Sequence, residues 1–173
     1  MSLQLDGTNG VLGNSGAFIQ GTAQASTSGT SIDFTGIPSW VKRVTVMFQQ
    51  VSTNGSSVVL VQVGSSSPQT SGYLGAGVSA GGTNVVVGAN YTTGFGLGGN
   101  NSSAVFISGS VVLTQTYTNV WNCSYSLARS DLGYSATGGG STGAMSGALD
   151  RVRITTVNGT DTFDAGSINI LYE

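Results

Sequence analysis

Chemistry needs acids, bases and nucleophiles set close together, and this chain holds few of them. Histidine is absent, which removes the usual general base, the commonest metal ligand and every Ser-His or Cys-His nucleophile pair. The one cysteine, Cys123, cannot build a zinc site, and a lone strand cysteine reads first as a small buried hydrophobe. Among the seven acidic residues, Asp161 and Asp164 stand close together in the turn-rich stretch from Asn158 to Gly166. Two carboxylates are enough for glycoside hydrolysis, and with loop carbonyls they can hold a calcium ion. Asp also shapes turns by bonding its own backbone. That last role asks for nothing beyond the local turn and is the first reading; calcium is the second and catalysis the third. No cofactor is expected.

The remaining chemistry-bearing residues are basic or aromatic. Arg43, Arg151 and Arg153 alternate with apolar positions: solvation or pairing with Asp33, Asp150 or Asp131 is the first reading, and a reach across a subunit boundary the second. Tyr73, Tyr91 and Tyr134 lie in Gly/Ser-rich segments and are the aromatics expected at the surface, where a ring can stack on a sugar. Trp40 and Trp121, with apolar neighbours, are expected in the core or an interface.

The elements that must position these residues are strands. From Arg43 on, Val44, Val46 and Phe48 fall on one face and Arg43, Thr45 and Met47 on the other, the period of two of a half-buried strand. Val58–Val63 is apolar enough to be covered on both faces. Trp121, Cys123, Tyr125 and Leu127 oppose Val120, Asn122, Ser124 and Ser126, and 104–114 with 119–127 forms a hairpin. Val152, Ile154 and Thr156 share a face, as do Ile168, Ile170 and Tyr172. Asn54-Gly55 is read as a hairpin turn, Asn158-Gly159 as the start of a hairpin loop joining the last two strands, and Gly138-Gly139-Gly140-Ser141 as a flexible loop. Residues 17–26 suit a sheet edge. No segment has a helical period. About eight to ten strands, spaced at roughly 8–15 residues, predict an all-β chain: an antiparallel β-sandwich of jelly-roll type over residues 17–173, preceded by a short arm over 1–16.

Composition narrows the function classes. Only 7% of the 173 residues are charged, against roughly 25% in ordinary soluble domains, while 28 are glycine. A surface kept wet by hydroxyls and amides has little charge to oppose association, so assembly is expected. Five basic residues and a net charge of −2 do not make a phosphate-tracking stripe, and nucleic acid is not expected as a partner. The opening residues have no basic and apolar signal-peptide pattern and no run approaches the ~20 apolar residues of a membrane span. Synthesis in a cytoplasm, without a membrane partner, is the expectation.

Two passages, GTAQASTSGTSIDFTGIPSWVKRVTVMFQQVSTNG (21–55) and LDRVRITTVNGTDTFDAGSINILYE (149–173), together resemble a module of tailed-bacteriophage tail-fibre and other virion proteins. The opening LQLDGTNGV (3–11) resembles the short lead-in of phage fibre proteins. The resemblance covers a little over a third of the chain and implies a virion structural protein, a homotrimeric β-sandwich with no catalytic residues. It also implies docking on other virion proteins through the N-terminal arm and contact of the middle region with host surface glycan or protein. No shaft sequence is present, so the resemblance admits a short tail-fibre, receptor-binding component or a capsid decoration protein. A surface-polysaccharide depolymerase acting through Asp161 and Asp164 is a third possibility.

Overall fold

A computed structural model describes residues 4–6, 10–12, 18–82, 84–88, 90–99, 102–103, 105–130 and 133–173. Its strands are β1 (Gln4–Asp6), β2 (Gly10–Leu12), β3 (Ile19–Gln20), β4 (Gln24–Ala25), β5 (Ile32–Thr35), β6 (Arg43–Thr53), β7 (Val59–Ser65), β8 (Ser67–Pro68), β9 (Tyr73–Gly81), β10 (Asn84–Val87), β11 (Phe95–Gly96), β12 (Ile107–Tyr117), β13 (Val120–Arg129), β14 (Ser135–Thr142), β15 (Arg151–Thr156) and β16 (Phe163–Tyr172). Ten of them have four residues or more, matching the number expected from the spacing. Of the expected arm, the backbone of β1 and β2 is described, and these pair antiparallel as a hairpin.

Two antiparallel sheets form the sandwich. The long sheet has the order β10-β9-β14-β13-β12-β6-β16-β3, with β4 also on β16, and the short sheet has the order β11-β7-β15-β5, with β8 on β7. The core between them is where the period of two places it. Val44, Val46 and Phe48 of β6, Trp121, Cys123, Tyr125 and Leu127 of β13, Val152 and Ile154 of β15, and Ile168 and Ile170 of β16 are all buried in one cluster. Trp40 packs on Tyr172 at the margin, ring centroids 6.2 Å apart. Residues 19–25 pair at the edge of the long sheet, as their pattern predicts.

Three turn expectations are corrected. Asn54-Gly55 is not a hairpin turn: β6 pairs with β12 and β16, while β7 belongs to the other sheet. Asn158-Gly159 likewise carries the chain across the sandwich, from β15 to β16. The two crossovers stand against each other and lock through side chains. Thr162 N–H donates to Asn54 Oδ1 at 2.9 Å, and Ser57 N–H to Asp161 Oδ2 at 2.9 Å. Asn158 N–H donates to Ser57 Oγ at 3.0 Å. An Asn-Gly pair reverses the chain, and here the reversal is spent on changing sheets. The third correction is Gly138–Gly140, which is strand rather than loop, held between β13 and β9. A Cβ on any of the three would meet a backbone oxygen of a neighbouring strand, so the bare backbone is what lets these strands pack.

The short β11 fills the sandwich under β9. Phe95 and Gly96 pair with Val61 and Leu60, and the Phe95 ring meets Tyr73 edge-on at 5.0 Å. The neighbouring Gly94 lies over the outer side of β7, where Gln62 Nε2 donates to Thr93 O at 2.7 Å. That cover explains why β7 is buried on both faces.

Candidate interaction face

The residues expected to do chemistry are mostly engaged in holding the fold. Asp161 is a loop-shaping carboxylate. Besides the Ser57 bond it accepts from Asn158 Nδ2 at 2.6 Å, and it occupies the space a Cβ at Gly55 would need. Asp164 is exposed beside the buried Phe163 at the start of β16. Among the described residues no group of three or more His, Cys, Asp or Glu converges to hold a metal ion. Cys123 is buried, and desolvation pushes its thiol up to about 12, far from a reactive thiolate.

Two of the three tyrosines expected at the surface are inside. Tyr73 is 1% exposed, its hydroxyl placed between β7 and the following loop: Val63 N–H donates to it at 3.0 Å, and it lies 3.1 Å from Gln69 O. Burial raises its pKa above the usual phenol value. Tyr91 is buried too, donating to Gly98 O at 3.1 Å. Their glycine-rich surroundings signal space for a ring rather than exposure. Tyr134 is half-buried against Gly81. The sequence reading missed Tyr125, whose hydroxyl donates to Gly96 O at 2.8 Å and accepts from Gly98 N–H at 2.9 Å. Desolvation pushes its pKa up to about 12.

Of the two roles open to the arginines, pairing within the chain is present. Arg153 grips Asp33 with Nε–Oδ1 2.7 Å and Nη2–Oδ2 2.8 Å, the bidentate form that suits guanidinium and carboxylate. Arg151 Nε bonds Asp150 Oδ1 at 2.7 Å, which lowers the Asp150 pKa and raises that of Arg151. Arg43 meets Glu173 at 3.1 Å. Asp131 lies outside the described residues. All three pairs are solvent-accessible, so each adds little to stability.

What remains is the surface, and its charge is lopsided. The outer side of the short sheet carries Asp33, Arg151 and Arg153 on β5 and β15. Five adjacent strands of the long sheet, β10, β9, β14, β13 and β12, contain a single charged residue, Arg129. Arg129 is itself buried, with Nη1 3.2 Å from Ser79 Oγ. Register places Ala76, Val78 and Ala80 of β9 beside Gly139, Thr137 and Ser135 of β14, and these beside Ser124, Ser126 and Ala128 of β13. The face is therefore small-residue and uncharged. It ends on β10, where Val85 is 65% and Val87 70% exposed, with Leu74 of β9 at 69%.

Covering such a face takes no ion out of water, and its Ser and Thr hydroxyls can be satisfied by hydrogen bonds across the contact. An edge strand ordinarily carries a charge, a proline or a bulge that discourages pairing; β10 reads Asn-Val-Val-Val. Among the described residues no helix is long and apolar enough to cross a membrane. In comparisons with known proteins, no family model, no curated protein and no solved structure matches the chain.

Proposed function

We propose that this chain is a non-enzymatic structural protein of a tailed-bacteriophage virion, a short tail-fibre-type component that assembles as a homotrimer and contacts the host surface. The observation that carries the reading is the uncharged outer face of the long sheet, ending on an apolar edge. Its β10–β9 edge suits burial against another copy, whereas the charged outer side of the short sheet suits water. The resemblance of residues 21–55 and 149–173 supplies the virion setting, and the double crossover that joins β6–β7 to β15–β16 agrees with jelly-roll-type winding. Residues 1–16 serve as the arm that docks on other virion proteins.

A second reading, a capsid decoration protein, is favoured by the lack of charge on the same face, which also suits packing on a lattice of coat subunits. Copy number separates the two. Quantitative mass spectrometry of purified virions against the major coat protein should give a few to a few dozen copies for a tail component. Copies in the hundreds make the protein a head decoration, and none at all removes the virion setting.

A further inference from the structure

The long sheet carries an irregularity away from β10, at the ends of β6, β12 and β13. Ile107 pairs with Val51 but Gly109 pairs with Phe48, so Gln49 and Gln50 together stand against Ser108. This is a β-bulge, and Gln50 takes a left-handed backbone with φ 50°. On the other side of β6 the bulge is met by Gly166, φ 92°, whose missing Cβ leaves room for the Gln49 and Gln50 carbonyls. The regular ladder is replaced by Gln50 N–H donating to Ser108 Oγ at 2.9 Å. A glutamine in this conformation is strained, and strain held by its surroundings often marks a functional position.

The bulge borders a cleft of about 300 Å³ lined by Gln50, Phe106, Ser108, Ala128, Arg129 and Ser130. Gln50 is exposed, and its side-chain amide has no hydrogen-bond partner among the described residues. Phe106 is 42% exposed although its backbone is fixed on both sides: its N–H donates to Ser130 Oγ at 2.9 Å, and Ser130 N–H donates to its carbonyl at 3.0 Å. A ring held at the rim, an uncommitted planar amide and two hydroxyls make a site with an apolar wall, and the charged residue in its lining, Arg129, is buried with its guanidinium on Ser79 Oγ.

We propose that this cleft is a subsite for one neutral pyranose of a host-surface glycan, with the Phe106 ring on the C–H face of the sugar and the Gln50 amide on a pair of its hydroxyls. The proposal deepens the host-contact reading and rests on it for the source of the glycan. Among the described residues no carboxylate lines the cleft to attract a cation, and its volume is at the small end for ligand sites, matching a single ring. Affinity per site is weak, and several copies on one particle supply the avidity.

The test is a titration of the isotope-labelled protein with the methyl glycosides of glucose, galactose, mannose and N-acetylglucosamine, followed by amide chemical shifts. One of the four should move the Gln50, Phe106 and Ser108 signals saturably, with Kd of about 1–10 mM. Phe106→Ala should weaken that binding by about tenfold or more. Gln50→Gly should do so while keeping the fold, because glycine accepts the positive φ without strain. No saturable shift with any of the four, or equal binding by both variants, overturns the proposal. So does movement of the same signals on raising protein concentration alone, which would make the occupant a second copy. Competition with virion adsorption separates the proposal from the reading beneath it. If the protein blocks adsorption and Phe106→Ala blocks equally well, the cleft is wrong and host contact stands. If the sugar binds but adsorption is untouched, the cleft stands and host contact fails.

Discussion

At the scale of single residues, the Tyr125 hydroxyl shows how this chain uses its glycines. A Cβ at Gly77 or at Gly138 would fall on that oxygen, so two strands give up side chains to admit one phenol. Gly77→Ala is expected to destabilise the fold by about 1–3 kcal/mol through overpacking. Tyr125→Phe should cost about 1–3 kcal/mol by leaving the buried Gly98 N–H unpaired. The double variant should lose less than the sum, by about 1 kcal/mol or more, because removing the hydroxyl makes room for the methyl. Urea midpoints of the four proteins measure this, and strict additivity would show that the two groups do not share the space. The same arrangement explains why Tyr73 and Tyr91 were misjudged from sequence. Glycine and serine around an aromatic indicate a surface loop when the local stretch is all one can see. In the fold a glycine can instead mark where backbone runs close over a ring, as Gly88 and Gly96 do at Tyr91 and Gly77 and Gly138 do at the distant Tyr125. The Asp161 loop was legible only in part: its bond from Asn158 is local, whereas its bond from Ser57 N–H comes from the other crossover, distant in sequence.

Among the elements, β6, β12, β13 and β16 were legible because each has one face in the core, and burial of alternate positions prints a period of two. The both-faces burial of β7 was legible from its unbroken apolar run, though the residues that cover it were not. Pairing was not legible. Asn54-Gly55 and Asn158-Gly159 specify a reversal, and neighbours distant in sequence decide whether the chain returns beside itself or crosses to the other sheet. Nor was β14, since a triple glycine carries no side chains to alternate. The uncharged face could be anticipated only as a low charge count; its concentration on five adjacent strands depends on their order. That order makes β10 the place to break assembly. Val85→Lys with Val87→Lys puts two charges on an edge that has none, so the protein should shift from trimer to monomer by light scattering at micromolar concentration. Both side chains are exposed in the single chain, so the monomer's own stability should change by no more than about 0.5 kcal/mol per site. A wild-type monomer, or an unchanged mass in the variant, would remove β10 from the interface.

The whole molecule has an unusual relation to pH, because it lacks histidine and buries the groups that titrate late. Cys123 and Tyr125 are each pushed up to about 12 by desolvation, and Tyr73 is raised as well. In the unfolded chain they ionise at their ordinary values, about 8.5 for cysteine and about 10 for tyrosine. Above those values the unfolded chain has released protons that the folded one still holds, so stability falls as pH rises. The contribution of each group is fully present below its ordinary pKa and declines above it by about 1.4 kcal/mol per pH unit. On the acid side Asp150 acts oppositely: its pKa is lowered, so its contribution is present above the ordinary Asp value and is lost as pH falls. Its carboxylate is solvent-accessible, which keeps that loss small. Stability should therefore be level between about pH 5 and 8, begin to fall near pH 9 as Cys123 comes into play, and fall more steeply above about pH 10 when the two tyrosines join. Urea midpoints across this range test the profile, and Cys123→Ala sharpens the test by moving the onset up to about pH 10, whatever it costs in packing. A profile that falls between pH 5 and 8, or an onset that stays near pH 9 in the variant, would show that other groups govern the alkaline limit.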